Sequence, residues 1–409
     1  MDISLEKREV RTKQILLVTS ILQEPLAALI TLLPLLIIKE LHATAFQISV
    51  LTALLPTVAI LSFYWGSFLD LKSCSYRIRK NLVLSTYFAA FLFLLSPLSN
   101  DPWIFVLAGA CYTLFWRAAN PARMELLKRN ISNGEREKVY SHYFKISYAV
   151  GMILAPLLGI LIDSGLEVWK WLFVAAGTLY MISGWVYSHI PLDTDARTVA
   201  LKKPFWKVVS DPWKVSYEIL QKNPTFLHFQ IGFFIAGFGL MFAKPAGDWL
   251  LGSLNISYLA LSLCRNLVKG LGVIGTAKVW GEKLNRSSIL QLSYIVCFGF
   301  MVYNALLLGG YFSVGFIFLA YLIYGVAQSG SHLVWNLSGT LLSGSDSSHQ
   351  YTSVNILAVG IRGCVTPVLG GLFLSLFGVE VALIVGVGIL FSGAWYLSRR
   401  SEVAGETVN

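Results

Sequence analysis

Charged residues are scarce in this chain: 13% of its 409 residues, against 56% hydrophobic, with a mean hydropathy of +0.65. So little polar surface cannot cover a water-soluble core of this size, which excludes a soluble globular protein. Cysteine is equally thin. The five residues Cys74, Cys111, Cys264, Cys297 and Cys364 form no CxxC pair and no cluster with histidine at ligand spacing, so neither a disulfide framework nor a metal site is supported. GxxxxGK[ST], HExxH and GxSxG are absent too, which removes ATP hydrolysis by that route, zinc-peptidase chemistry and the serine-hydrolase elbow. No loop gathers His, Asp or Glu densely enough for a catalytic site, so no enzyme and no cofactor is expected. The longest polar stretch, 191–224, is short for a soluble output domain.

What the chain has in abundance is long apolar runs. A hydrocarbon core about 30 Å thick needs about 20 apolar residues per helical crossing. Twelve runs qualify, near 15–38, 46–69, 81–98, 102–119, 143–163, 169–190, 225–246, 256–277, 289–310, 312–336, 352–376 and 379–397. They are continuous rather than alternating, which predicts helices and not a barrel. The first run carries Gln23, Glu24 and Pro25, so it reads as a span and not as a cleaved leader.

The net charge of +10 invites a nucleic-acid reading, but the placement of the 32 Lys and Arg residues gives it another cause. Cations crowd the N-terminal segment, the second-to-third connection (Lys72, Arg77, Arg79, Lys80), the fourth-to-fifth, the central stretch and the C-terminus. Only Lys39, Lys170 and Lys244 border the opposite side. That bias is the positive-inside rule, and it predicts cytoplasmic termini and an even helix count. Nucleic acid is not needed to explain it.

The stretch 191–224 divides the helices six and six, giving an N-terminal bundle 1–190, a cytoplasmic linker 191–224 and a C-terminal bundle 225–409. Its amphipathic pieces suit the membrane surface or plain solvent. Shifting the chain against itself places Pro156 and Gly159 on Pro367 and Gly370, Gly177 on Gly388, Ser183-Gly184 on Ser392-Gly393, Gly66 on Gly275 and Arg77 on Arg286, all at offsets of 209 to 211. Six helices repeated six helices later keep their orientation, as in parallel repeats about the membrane normal.

Between the second and third runs stands Gly66-Ser67-Phe68-Leu69-Asp70-Leu71-Lys72, followed by Arg77, Arg79 and Lys80. This resembles the loop signature of the major facilitator superfamily, although Leu71 stands where the family has a cation. The resemblance covers roughly residues 10–400 and implies that family's fold: an all-α integral membrane protein of twelve transmembrane helices in two pseudo-symmetric six-helix bundles. It also implies an inner gate in which Gly66, Asp70 and Arg77 take part, and a central pathway lined by helices one, four, seven and ten. The second-half counterpart, from Gly275 to Lys283, has no acid in Asp70's place, so its gate should be weaker. Gly151, Gly159, Gly363, Gly370 and Gly371 are expected to serve close helix packing.

Ionisable residues within the runs are the most informative, since each costs about 2.5–3.5 kcal/mol at a span centre. Four stand out: Glu24, Arg265, Lys269 and Arg362, with Glu24 as the one carboxylate at depth. Arg265 and Lys269, four apart, should share a helical face. The cationic surplus points to an organic or phosphorylated anion as the solute. The alternative is a structural network in which Glu24 pairs with one cation. The tenth run adds a polar stripe, Tyr321, Tyr324, Gln328, Ser331, His332, Trp335 and Asn336, expected to face the pathway, and the fourth run adds Tyr112. The resemblance implies a secondary transporter working by alternating access, as a monomer, with a small-molecule substrate and a coupled proton or counter-substrate, and the compact length and short loops suggest a bacterial inner membrane. The runner-up is a drug or metabolite exporter for neutral or cationic solutes.

Overall fold

The computed structural model describes residues 5–68, 75–132, 135–165, 167–192, 205–343 and 348–406. Every regular element among them is helical. Lipid offers backbone groups no hydrogen bonds, so an apolar chain satisfies them within helices. The order is α1 (Leu5–Lys39), α2 (Ala45–Phe68), α3 (Ser75–Phe91, continued by a 3₁₀ turn Leu92–Leu98), α4 (Pro102–Asn130), α5 (Arg136–Asp163) and α6 (Val168–Tyr187). Then come α7 (Phe205–Lys222), α8 (Pro224–Ser253), α9 (Tyr258–Ser262), a π-helical turn Leu263–Val268, α10 (Lys269–Arg286), α11 (Ile289–Leu308), α12 (Val314–Leu342) and α13 (Ser348–Glu406). Eight helices among the described residues are long and apolar enough to cross a membrane.

Helix starts follow local chemistry. Asp101 and Asn223 cap α4 and α8, accepting from the Trp103 and Phe226 amides, each with proline at the first helical position, where no amide hydrogen is missed. Ser288 and Gln291 form a reciprocal capping box at α11. Asp163, at the end of α5, accepts from the amides of Tyr258 and Leu259 and so opens α9. α13 holds one break, at Gly378, whose φ of 85° suits a residue without Cβ.

The chain divides into two compact units. One takes the described residues within Met1–His42, Leu61–Lys203 and Ser257–Ser262; the other takes those within Ala43–Ile60, Pro204–Ile256 and Leu263–Asn409. In the first unit Phe93, Phe105, Trp169 and Phe173 stack into an aromatic core, and Gly159 lies against the Tyr258–Leu259 backbone. In the second, Gly363 lies against Pro56 and Gly370 against the Phe242 carbonyl. Small residues let backbones approach where apolar lipid gives no hydrophobic drive to associate. Within the segment 191–224, residues Phe205–Lys222 form the helix α7.

Candidate functional site

In the second unit α8, α11, α12 and α13 line a cavity of about 310 Å³. Arg362, only 5% exposed, is the one formally charged residue among those lining it. Its Nη1 donates to the Phe233 carbonyl at 2.5 Å, and its guanidinium carbon lies 4.9 Å from the Phe233 ring centroid. Nε is buried and has no acceptor among the described residues. From α12 the stripe residues Tyr324, Gln328, Ser331, His332 and Trp335 reach the same cavity. Tyr321 turns elsewhere, and Asn336 is exposed.

Arg265 and Lys269 do not line this cavity. Arg265 sits in the π-helical turn, where its Nη2 pairs with Asp248 and its Nε donates to the Tyr321 hydroxyl at 3.1 Å. Asp248 also accepts from Lys244 at 3.0 Å. The expectation that Glu24 is the one carboxylate at depth is therefore corrected. α8 runs past residue 246 to Ser253, and Asp248 is buried within it. A buried guanidinium needs an ionised partner close by, and Asp248 neutralises Arg265 without any solute. Lys269 is half-buried, with no ion pair among the described residues.

In the first unit Glu24 accepts a hydrogen bond from the Ser147 hydroxyl on α5 and lies against Gly151, where a Cβ would sit 3.0 Å from its Oε2. No cation lies within ion-pair distance of it among the described residues. Tyr112 on α4 is buried edge-on against Tyr180, ring centroids 5.8 Å apart. Of the gate residues, Asp70 lies outside the described residues, Gly66 falls in α2, and Arg77 is exposed on α3.

Sequence reasoning missed Phe233, Gly237 and Asp248. Asp248 carried a readable signal, an acid one helical turn after Lys244. Phe233 and Gly237 carried none, because their roles depend on a distant helix. No group of three metal-ligating side chains occurs among the described residues.

The sequence pattern of the Major Facilitator Superfamily matches residues 16–365. No curated protein sequence matches the chain. Among solved structures, a nucleoside transporter, NupG, is similar with a TM-score of 0.72 at 14% identity over 95% of this chain and 99% of that one. A POT family transporter in complex with a thioalcohol conjugated peptide has a TM-score of 0.73 at 12% identity, covering 96% of each chain. A bacterial homolog of the human lysosomal transporter Spinster, inward-facing and unoccupied, has 0.64 at 13%, over 97% and 95%. Identities that low speak to the fold alone. The match over 350 of the 409 positions, with a helical fold of this kind, assigns the chain to the Major Facilitator Superfamily: it is a multi-pass membrane transporter for a small molecule and not an enzyme.

Proposed function

We propose that this transporter is a secondary carrier for organic anions, working by alternating access, with Arg362 as the group that holds the anion. The observation that carries the reading is a buried guanidinium in a cavity with no acid among the residues lining it. Asp248 removes Arg265 from the cationic surplus, which leaves Arg362, with Lys269 half-buried at the first position of α10. Buried donors without acceptors are costly, and an anionic solute supplies acceptors. Gln328 is placed to add a polar contact, while Tyr112 serves the packing of the first unit.

The same reading takes twelve spans. Fifty-two residues of α13 far exceed one crossing of about 20 residues, so the break at Gly378 separates two. α2, α4 and α6, at 24, 29 and 20 residues, complete the set. The bundles 1–190 and 225–409 then follow as parallel repeats joined by 191–224. Both termini are cytoplasmic, the membrane is a bacterial inner membrane, the carrier is a monomer, and Gly66, Asp70 and Arg77 take part in the inner gate.

Purified protein in liposomes is expected to accelerate the entry of an organic anion. Arg362→Ala should slow that entry about 10- to 100-fold, since hydrogen bonds to a charged group are worth roughly 1.5–3 kcal/mol. Equal entry with both proteins overturns the anchor.

Glu24 supplies the coupled proton in this reading. It bonds a hydroxyl and has no cation within ion-pair distance among the described residues, so nothing there locks it in the ionised form. Glu24→Gln keeps the bond to Ser147 and removes the titrating group. Uptake by the variant is expected to lose the response to a protonophore that the wild type shows, and an undiminished response in the variant would move the coupled proton elsewhere.

The second reading, export of neutral or cationic solutes, is favoured by the same carboxylate and by the aromatic walls of the cavity. It predicts transport of cations that Arg362→Ala leaves unchanged.

A further inference from the structure

The geometry points to the chemical class of the anion: a monocarboxylate that carries a flat, apolar ring, held by one side-on guanidinium fork. This rests on Arg362 as the anion anchor and adds what that anchor selects.

Three surfaces of the guanidinium are already taken. Nη1 is used by the Phe233 carbonyl, and one face is turned to the Phe233 ring. Behind it lies Gly237, one turn along α8 from Phe233, where a Cβ would overlap the guanidinium carbon and both terminal nitrogens. The group is therefore seated on a bare Cα, and any larger residue there displaces it. Besides the second Nη1 hydrogen, the free donors form one edge: Nε, buried and without an acceptor among the described residues, and Nη2, which has no hydrogen bond there either. Those two N–H groups point the same way, at the spacing of the two oxygens of a carboxylate.

Charge and shape narrow the class further. Arg362 is the one formal charge among the residues lining the cavity, so a monoanion cancels it. A phosphate monoester carries about −1.5 to −2 at neutral pH and would leave excess charge among apolar walls. Phe300, Tyr324 and Trp335 supply aromatic surface, with Val296, Val359 and Leu390 beside them. Flat rings stack and meet edge-on with such walls, and about 310 Å³ is at the small end of ligand pockets.

The test compares three probes on the detergent-purified full chain, 3-phenylpropanoate, phenyl phosphate and 3-phenylpropanamide, read by the shift in melting midpoint and repeated as uptake into proteoliposomes. Phenylpropanoate is expected to bind about tenfold or more tighter than phenyl phosphate, with the amide inactive. Arg362→Lys keeps the charge and removes the fork, and is expected to weaken phenylpropanoate binding about tenfold or more. Gly237→Ala should do the same where it folds; where it does not, Arg362→Lys decides.

Phenyl phosphate binding as tightly as phenylpropanoate overturns the carboxylate class and leaves the anion anchor standing. Phenylpropanoate binding to Arg362→Lys within about twofold of wild type overturns the fork. No binding of either anion, or binding of both unchanged in Arg362→Ala, overturns the anchor and the proposal with it.

Discussion

Asp248→Ala is expected to yield little folded protein. Asp248 is 3% exposed, on a helix whose other face packs along α13, and it answers two cations, Arg265 and Lys244. Lys244 is half exposed and can turn to water, but the Arg265 side chain is only 12% exposed and cannot. Removing one member of a buried pair strands the other, at about 3–5 kcal/mol, a large share of a protein's whole stability. The measurement is the melting midpoint and the monodisperse fraction after solubilisation. Asp248→Asn with Arg265→Gln exchanges the ion pair for two amides that can still bond each other, and should recover more than half of the loss. A single variant that melts with the wild type would show that the pair contributes nothing to the fold.

Gly239→Leu is expected to separate α8 from α13. A Cβ on Gly239 would meet the Gly386 carbonyl and the Leu390 amide, both at 2.8 Å, and one on Gly393 would meet the Ala236 amide at 2.6 Å. The two backbones touch there, with no flexible side-chain end able to give way. Overpacking costs about 1–3 kcal/mol even where side chains can adjust, and backbone cannot adjust without moving the helix. Gly388, on the same stretch of α13, is a matched control, since a Cβ there meets nothing within 4 Å. Gly388→Ala should melt at or slightly above the wild type, because alanine favours a helix over glycine by about 1 kcal/mol. If Gly239→Leu and Gly388→Ala melt alike, the close approach is not what holds this pair of helices.

Helices were legible because lipid imposes one rule on the backbone, and a run such as 352–376 followed by Gly378 shows both an element and its break. Gly159, Gly363 and Gly370 were legible as packing for a related reason: small residues recur where helices touch. The ends of helices were less so. Lys244-Pro245-Ala246-Gly247-Asp248 reads as a polar exit from the membrane, and α8 instead runs through it, because an i, i+4 pair and a third charge from the π-turn satisfy its ionic groups. No residue pattern announced that π-turn, and it places Arg265 where Asp248 and Tyr321 can reach it. The candidate site was half legible. Charge in an apolar run singled out Arg362, and spacing gathered Gln328, Ser331, His332 and Trp335 onto one stripe. Neither could reveal that Gly237 and Phe233, 125 and 129 positions away, would seat the guanidinium.

The sign of the transported charge separates the anion carrier from the cation exporter. Anionic, neutral and cationic solutes of similar size, compared side by side in proteoliposomes of wild type and Arg362→Ala, should separate cleanly: the wild type accelerates the anion above the other two, and the variant loses that advantage. Cation entry at least as fast as anion entry, and unaltered by Arg362→Ala, would contradict it.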